Sequence, residues 1–276
     1  MKKNPTTVLL CGTLCIAGIL CTSCGMFTTS LAKNLQRDQK DIFKNASARE
    51  LAAFADGNTA ANPKTMAALM DALGTKSPSE LKSLSVKEKE AVLDLALGTS
   101  MPLKKVSDIA QETLADMKDP AKKKDAAENM LKKLLNGVNT FDTTAPVHLL
   151  NDPQTLREAD AGSLANAALA TILQTVAQNG FETIRNNIGV DKINFKTQTP
   201  DEIVRRMLNN PPPNETPEAK KSREALKAAV TVVRLLSGAE VDTPDGKIKR
   251  DSTADDAKLL GTLSLTDILQ AFNKKD

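Results

Sequence analysis

The chain contains no tryptophan and no tyrosine, and aromatic residues make up only 3% of it. Its interior therefore has to be built from Leu, Ala, Val, Ile and Met with a few Phe. Such side chains suit close helix–helix packing, where Ala lets axes approach and Leu fills the gaps. A β-sandwich of this size would show more β-branched and aromatic residues in alternating runs. The same absence removes the flat faces on which nucleic-acid bases stack. Histidine occurs once, at His148, and cysteine only at Cys11, Cys15, Cys21 and Cys24. Beyond residue 24 the usual thiolate and imidazole metal sites cannot be assembled, so neither a metal nor another cofactor is expected.

Charge of one dominant sign is also missing. The formal net charge is +3. Without residues 1–23, which hold Lys2 and Lys3 and no acid, 35 basic residues face 34 acidic ones. Both signs are interspersed, which describes a solvated surface with no basic block to neutralise a phosphate backbone. Nucleic acid is thereby excluded as an expected partner.

The catalytic inventory is equally thin. No Gly-x-Ser-x-Gly surrounds a serine, and the glycines stand singly instead of forming a phosphate-binding loop. The acidic pairs Asp201-Glu202 and Asp255-Asp256 fall in first turns of expected helices, where they oppose the positive end of the helix dipole. An EF-hand frame fixed on Gly246 puts Val241 first, Thr243 third and Ser252 twelfth, so the required carboxylates are missing. His148, before Leu149 and Leu150, reads more readily as a packed or partly exposed residue than as a base or ligand. No catalytic residue is assigned, and the chain is not expected to be an enzyme.

What is present begins at the N-terminus. Lys2 and Lys3 precede a mostly apolar stretch from Val8 to Leu20, followed by Cys21-Thr22-Ser23-Cys24-Gly25. Charge, short apolar segment and small residues, in that order, make a secretory signal peptide over 1–23. The apolar part is shorter than the roughly 20 residues a membrane span needs. It also admits reading as an uncleaved apolar helix or as an ordinary signal peptide.

Ser23 and Cys24 resemble the lipobox of bacterial lipoproteins, with Thr22 acceptable and Cys21 standing where Leu is usual, a relaxed motif of the spirochaetal kind. The resemblance covers only the first 25 or so residues. It implies cleavage before Cys24, diacylglycerol on the Cys24 sulfur, and a lipid-anchored domain outside the cytoplasm. Gly25 is not the acidic residue linked in that family with inner-membrane retention, which favours the outer membrane. Two or more acyl chains anchor stably, at about 0.8 kcal/mol per buried CH₂. A domain without cysteine suits an oxidising compartment.

Behind a small polar tether over 24–32, the punctuation is that of an all-α protein. Pro63, Pro78, Pro120, Pro153, Pro200 and Pro217 each follow Asn, Ser, Asp or Thr, the arrangement of an N-cap before proline in the first helical position. Gly57, Gly74, Gly98, Gly137, Gly180 and Gly238 follow apolar runs, where a left-handed cap ends a helix. Ser47-x-x-Glu50, Ser77-x-x-Glu80 and Ser85-x-x-Glu88 spell capping boxes. Helices are expected over 30–45, 47–56, 63–73, 78–84, 86–97, 102–118, 120–136, 153–160, 163–179, 181–187, 200–209, 217–237, 254–262 and 265–273.

Residues 164–177 and 225–236 are apolar on most faces and should form the centre of a bundle, whereas 102–118 and 120–136 keep a polar face. Pro244-Asp245-Gly246 between Val241 and Ile248 predicts a small β-hairpin within 240–249. Residues 138–152 read as the longest loop without a convincing helix. They suggest a division, in preference to one at the stiff Pro-rich connector 210–216, between an N-terminal helical array over 33–137 and a C-terminal bundle with the hairpin over 153–276. One continuous domain is also compatible. Ala72-Leu-Gly-Thr75 and Ala96-Leu-Gly-Thr99 echo each other faintly, as stacked hairpins would.

Three functions are compatible with this pattern. The first is an envelope lipoprotein whose helical surface binds a protein partner or supports an assembly. The second is a carrier sheltering an apolar ligand between aliphatic helices, with Met66, Met70, Met117, Met130 and Met207 lending pliability. A cell-wall hydrolase is a remote third.

Overall fold

The computed structural model describes residues 43–57, 62–119, 121–122, 126–180 and 215–251. The tether, most of the first expected helix, and those at 181–187, 200–209, 254–262 and 265–273 lie outside these residues. Among the described residues the fold is all-α with one small hairpin. Its ten helices are α1 (Ala48–Gly57), α2 (Pro63–Gly74), α3 (Pro78–Lys82), α4 (Val86–Ser100), α5 (Leu103–Lys118), α6 (Ala126–Leu135), α7 (Thr144–Leu150), α8 (Pro153–Glu158), α9 (Ala161–Asn179) and α10 (Pro217–Leu236). The strands β1 (Val241–Thr243) and β2 (Gly246–Ile248) follow. All belong to one compact unit, Ser47–Asp276.

The helix starts follow from local chemistry. Asn62, Ser77, Asp152 and Thr216 cap α2, α3, α8 and α10, each with proline in the first turn, where a missing N–H costs no bond. The capping boxes close as expected: Ser77 and Ser85 accept from the backbone N–H of Glu80 and Glu88, whose carboxylates accept in return. Ser47 and Glu50 do the same before α1, with the Ser47 N–H 2.8 Å from Glu50 Oε2.

The helix ends match the expected left-handed caps only in part: Gly57 and Gly74 are the last residues of α1 and α2 without a positive φ, and α2 is capped by Thr75 in the right-handed helical region. Gly137, Gly180 and Gly238 have φ of 94°, 75° and 81°, the left-handed conformation anticipated for a cap. Gly98, by contrast, lies inside α4, which runs on to Ser100. The helix stops instead at Met101, extended at φ −166° and ψ 161°, because Pro102 disfavours a helical residue before it. Gly74 ends α2 while Gly98 ends nothing, so the faint internal echo is not a structural repeat.

One further boundary is described only in part and another is corrected. Asp119 Oδ1 accepts the Ala121 N–H, and the Lys122 N–H bonds to the Asp119 carbonyl. Residues 121–122 form a turn here, residues 120 and 123–125 lie outside the described residues, and α6 is described from Ala126. The stretch 138–152 holds α7. Pro146 sits in its first turn, where proline is tolerated, and Ala145, Pro146, Leu149 and Leu150 are buried.

Helix α9 is the centre. Leu164, Ala167, Ala168, Ala170 and Leu173 are fully buried, with α4 along one side and α10 along another. The two most apolar helices do meet, but α4 shares the core equally and also packs against α1 and α2. Short α7 touches α2, α3 and α4 as well as α8, α9 and α10, so helices from 33–137 and 153–276 share one core. Helices α5 and α6 pack on each other, and α6 rests on α9.

The hairpin pairs Val241 with Ile248 and Thr243 with Gly246. Buried Val241 and Ile248 hold it against α10 and α8. Just beyond, the Arg250 guanidinium donates to the carbonyls of Leu156 at 3.2 Å and Ala159 at 2.7 Å, satisfying acceptors at the end of α8.

Candidate functional site

Cys24, expected to carry the lipid, lies outside the described residues. So do Met207 and the acidic pairs at 201–202 and 255–256. His148 falls in the last turn of α7, half-buried. Met66, Met70 and Met130 are buried core residues. What the described fold offers is a set of buried and half-buried polar groups where its helices meet.

The deepest is Lys89. The Ser85 capping box fixes the start of α4, and Lys89 follows on the face that also carries Val92, Leu93 and Ala96, all three fully buried. Its side chain has 0% exposure. The ammonium donates to Asp152 Oδ2 at 2.9 Å and to Gln154 Oε1 at 3.1 Å. The same Asp152 oxygen caps α8, accepting the Thr155 N–H at 3.1 Å and the Thr155 hydroxyl at 2.7 Å. Burial pushes the Asp152 carboxyl up, but the Thr155 and Lys89 donors together with the Lys89 charge outweigh it and hold the group below the usual carboxylate range. The pair is closed on itself, and its chemistry is to tie α8 to α4.

Next to Lys89 and about one turn further along α4, respectively, Glu90 and Asp94 meet the start of α9. Glu90 Oε1 accepts the Asp160 N–H at 2.7 Å, and Asp160 Oδ2 caps α9 through the N–H groups of Gly162 and Ser163. Asp94 accepts from the Ser163 hydroxyl at 3.0 Å and from the Asn166 amide at 3.4 Å. Burial first, then the charges of Asp160 and Glu90, outweigh these bonds and raise its carboxyl above the ordinary value. Among the described residues no three His, Cys, Asp or Glu side chains are arranged to hold a metal ion.

A third group fixes the segment after α6. Gln174, fully buried on α9, accepts the Phe141 N–H at 3.1 Å. It donates to the Asn139 carbonyl at 2.6 Å and to Ser100 Oγ at 3.2 Å. Nearby, Asp142 joins three helices. Its N–H donates to Asp71 Oδ1 on α2, and its Oδ1 receives the Thr144 N–H and hydroxyl of α7 and the Lys221 ammonium of α10 at 3.1 Å. Gly74 leaves room for this side chain, since a Cβ there would lie 3.0 Å from Asp142 Cγ.

Neither Lys89 nor Gln174 was singled out from the sequence, though both carried a signal. Lys89 occupies an apolar-face position three, four and seven residues before Val92, Leu93 and Ala96. Gln174 stands inside a helix apolar nearly all round. A polar residue in such a place has to find partners in the core.

No protein-family model, no curated protein and no solved structure matches this chain. Among the described residues no helix is long and apolar enough to cross a membrane.

Proposed function

We propose that this chain is a lipoprotein of the bacterial cell envelope, anchored through lipid on Cys24, whose helical domain binds a protein partner or supports an assembly outside the cytoplasm. The observation that carries the reading is the N-terminal order of Lys2-Lys3, an apolar run from Val8 to Leu20, and Ser23-Cys24. The described domain is compatible with it. Its polar clusters are internal ties between helices, and the outer faces of α5, α6 and α10 carry mixed charge suited to a solvated surface. The outer membrane is the favoured destination, because Gly25 follows the lipidated position.

The test is metabolic labelling with an alkyne fatty acid in a bacterial host. The parent chain should be labelled, shortened at its N-terminus and recovered with membranes. The Cys24→Ser chain should be unlabelled and remain at precursor mass. Equal labelling and equal membrane recovery of the two chains would remove the anchor from the proposal. The partner half is checked by cross-linking in intact cells, and repeated capture of nothing above background would remove it.

A further inference from the structure

Helix α8 is six residues long and lies at the surface. Pro153, Thr155 and Leu156 face inward and are buried, whereas Gln154, Arg157 and Glu158 are exposed. The residues at its two ends are extended, Asp152 at φ −82° and ψ 119° and Ala159 at φ −67° and ψ 151°. A short helix between extended residues moves as a unit by rotation at those residues.

Two neighbouring residues of α4 hold the two ends of α8. Lys89 reaches its start, donating to Asp152 and Gln154, and Glu90 reaches past its end, accepting the Asp160 N–H at 2.7 Å. In a helix that ran on, the Asp160 N–H would go to the Leu156 carbonyl, four residues back. With that donor turned to Glu90, the Leu156 carbonyl needs another. The Ala159 carbonyl stands in the same position, because the Ser163 N–H goes to Asp160 Oδ2. Arg250 supplies both carbonyls, at 3.2 and 2.7 Å. It follows directly on the hairpin, which itself packs on α8 through β2.

Beneath α8 lies the Lys89 ammonium. The Lys89 side chain has 0% exposure, yet its Nζ is 3.1 Å from Oε1 of the exposed Gln154. One side chain of α8 thus spans the distance from a buried amine to the surface. We propose that α8 is a lid over the Lys89 amine and that Arg250 is its latch, so that the chain following the hairpin sets whether this amine meets solvent. The inference rests on the geometry of α8 and is independent of the membrane anchor and of any partner.

The test is acylation of the native whole chain in detergent with N-hydroxysuccinimidyl acetate, read lysine by lysine by mass spectrometry. In the parent chain Lys89 should react far more slowly than the exposed Lys227 of α10. Arg250→Met removes both latching bonds and should speed acylation of Lys89 about tenfold or more, with Lys227 unchanged. Hydrogen exchange of the same variant is the second measurement. Amides of α8 should exchange faster while those of α4 and α9 keep the parent rate. An unchanged Lys89 rate in Arg250→Met would overturn the latch, and a parent Lys89 as reactive as Lys227 would overturn the lid. Acceleration of α4 and α9 in step with α8 would also overturn the proposal, because the whole domain would then be opening.

Discussion

Replacing Asp152 by Ala should be among the most damaging single changes in the described fold. The substitution strands the Lys89 ammonium, whose side chain has 0% exposure, with Gln154 Oε1 as its remaining hydrogen-bond acceptor of the two. Breaking a buried pair from one side costs about 3–5 kcal/mol. Loss of the α8 cap, where Asp152 accepts the Thr155 N–H, adds about 1 kcal/mol. The sum, about 4–6 kcal/mol, is comparable with the whole stability of many domains, about 5–15 kcal/mol. Lys89→Met should cost less, about 2 kcal/mol, because Asp152 keeps both Thr155 donors. The double change Lys89→Met with Asp152→Asn should recover most of the loss, since a buried pair replaced as a unit is often near neutral.

Guanidinium unfolding followed by far-ultraviolet circular dichroism is the assay, because a chain without Trp or Tyr has no useful intrinsic fluorescence. A cost below about 1 kcal/mol for Asp152→Ala would refute the reasoning, as it would mean the ammonium reaches water. The pH dependence supplies a further check. The Asp152 carboxyl is held below its ordinary value in the folded state, so its stabilising contribution is complete above the unfolded value of about 3.9. That contribution is lost as pH falls through the lower folded value. The difference between parent and Asp152→Ala should therefore be constant near neutrality and shrink only below about pH 4.

Gln174→Leu should destabilise by about 2–4 kcal/mol, because it leaves the Phe141 N–H and the Asn139 carbonyl without their buried partner; a loss under about 0.5 kcal/mol on denaturation would show that water replaces the amide. Gly98→Ala should stabilise by about 1 kcal/mol, since the residue is inside α4 and a Cβ there meets nothing within 4 Å. Gly180→Ala, at φ 75° and ψ 154°, should destabilise by about 1–3 kcal/mol; a thermal melt that rises for Gly180→Ala, or falls for Gly98→Ala, would contradict the assignment for that position. Asp94→Asn should raise the Tm at pH 7: a carboxyl raised above its ordinary value weakens the fold once ionised, and this penalty fades as pH falls through the raised value. A melt at pH 7 that is lower than the parent's would sink that reading.

The legible part of this protein is its local chemistry. Ser77 with Glu80, Ser85 with Glu88, and Asn62, Asp152 and Thr216 before proline each satisfy donors within the same turn. Three or four consecutive residues are enough to recognise them. The hairpin was equally local, with Gly246 at φ 109° supplying the turn that Pro244-Asp245 announces. Gly98 shows where that reasoning fails. A glycine after an apolar run matches the pattern of a cap, yet Pro102 four residues later sets the end of the helix. Two stop signals so close together cannot be ranked without knowing what the last turn packs against, and Thr99, Ser100 and Met101 are all buried.

What resisted reading is pairwise and distant. Asp152 was recognised as a cap for α8, and that is correct, but the same oxygen also receives an ammonium from 63 residues earlier in the chain. Nothing about an Asp before a proline distinguishes a cap facing water from one facing a buried lysine. The complementary signal sat on α4, where Lys89 holds a position that Val92, Leu93 and Ala96 mark as apolar. Either residue alone has an ordinary explanation, because lysine can extend along an apolar face to reach solvent. Only the absence of a route to water makes the pair obligatory, and that absence is created by α4 and α8 packing together. The same holds for Gln174, whose partners at Ser100, Asn139 and Phe141 are 33 to 74 residues away. In a core of Leu, Ala and Val, whose side chains accept many neighbours, these few polar groups are satisfied in one register only. They are therefore the residues whose replacement discriminates this helix arrangement from another of equal burial.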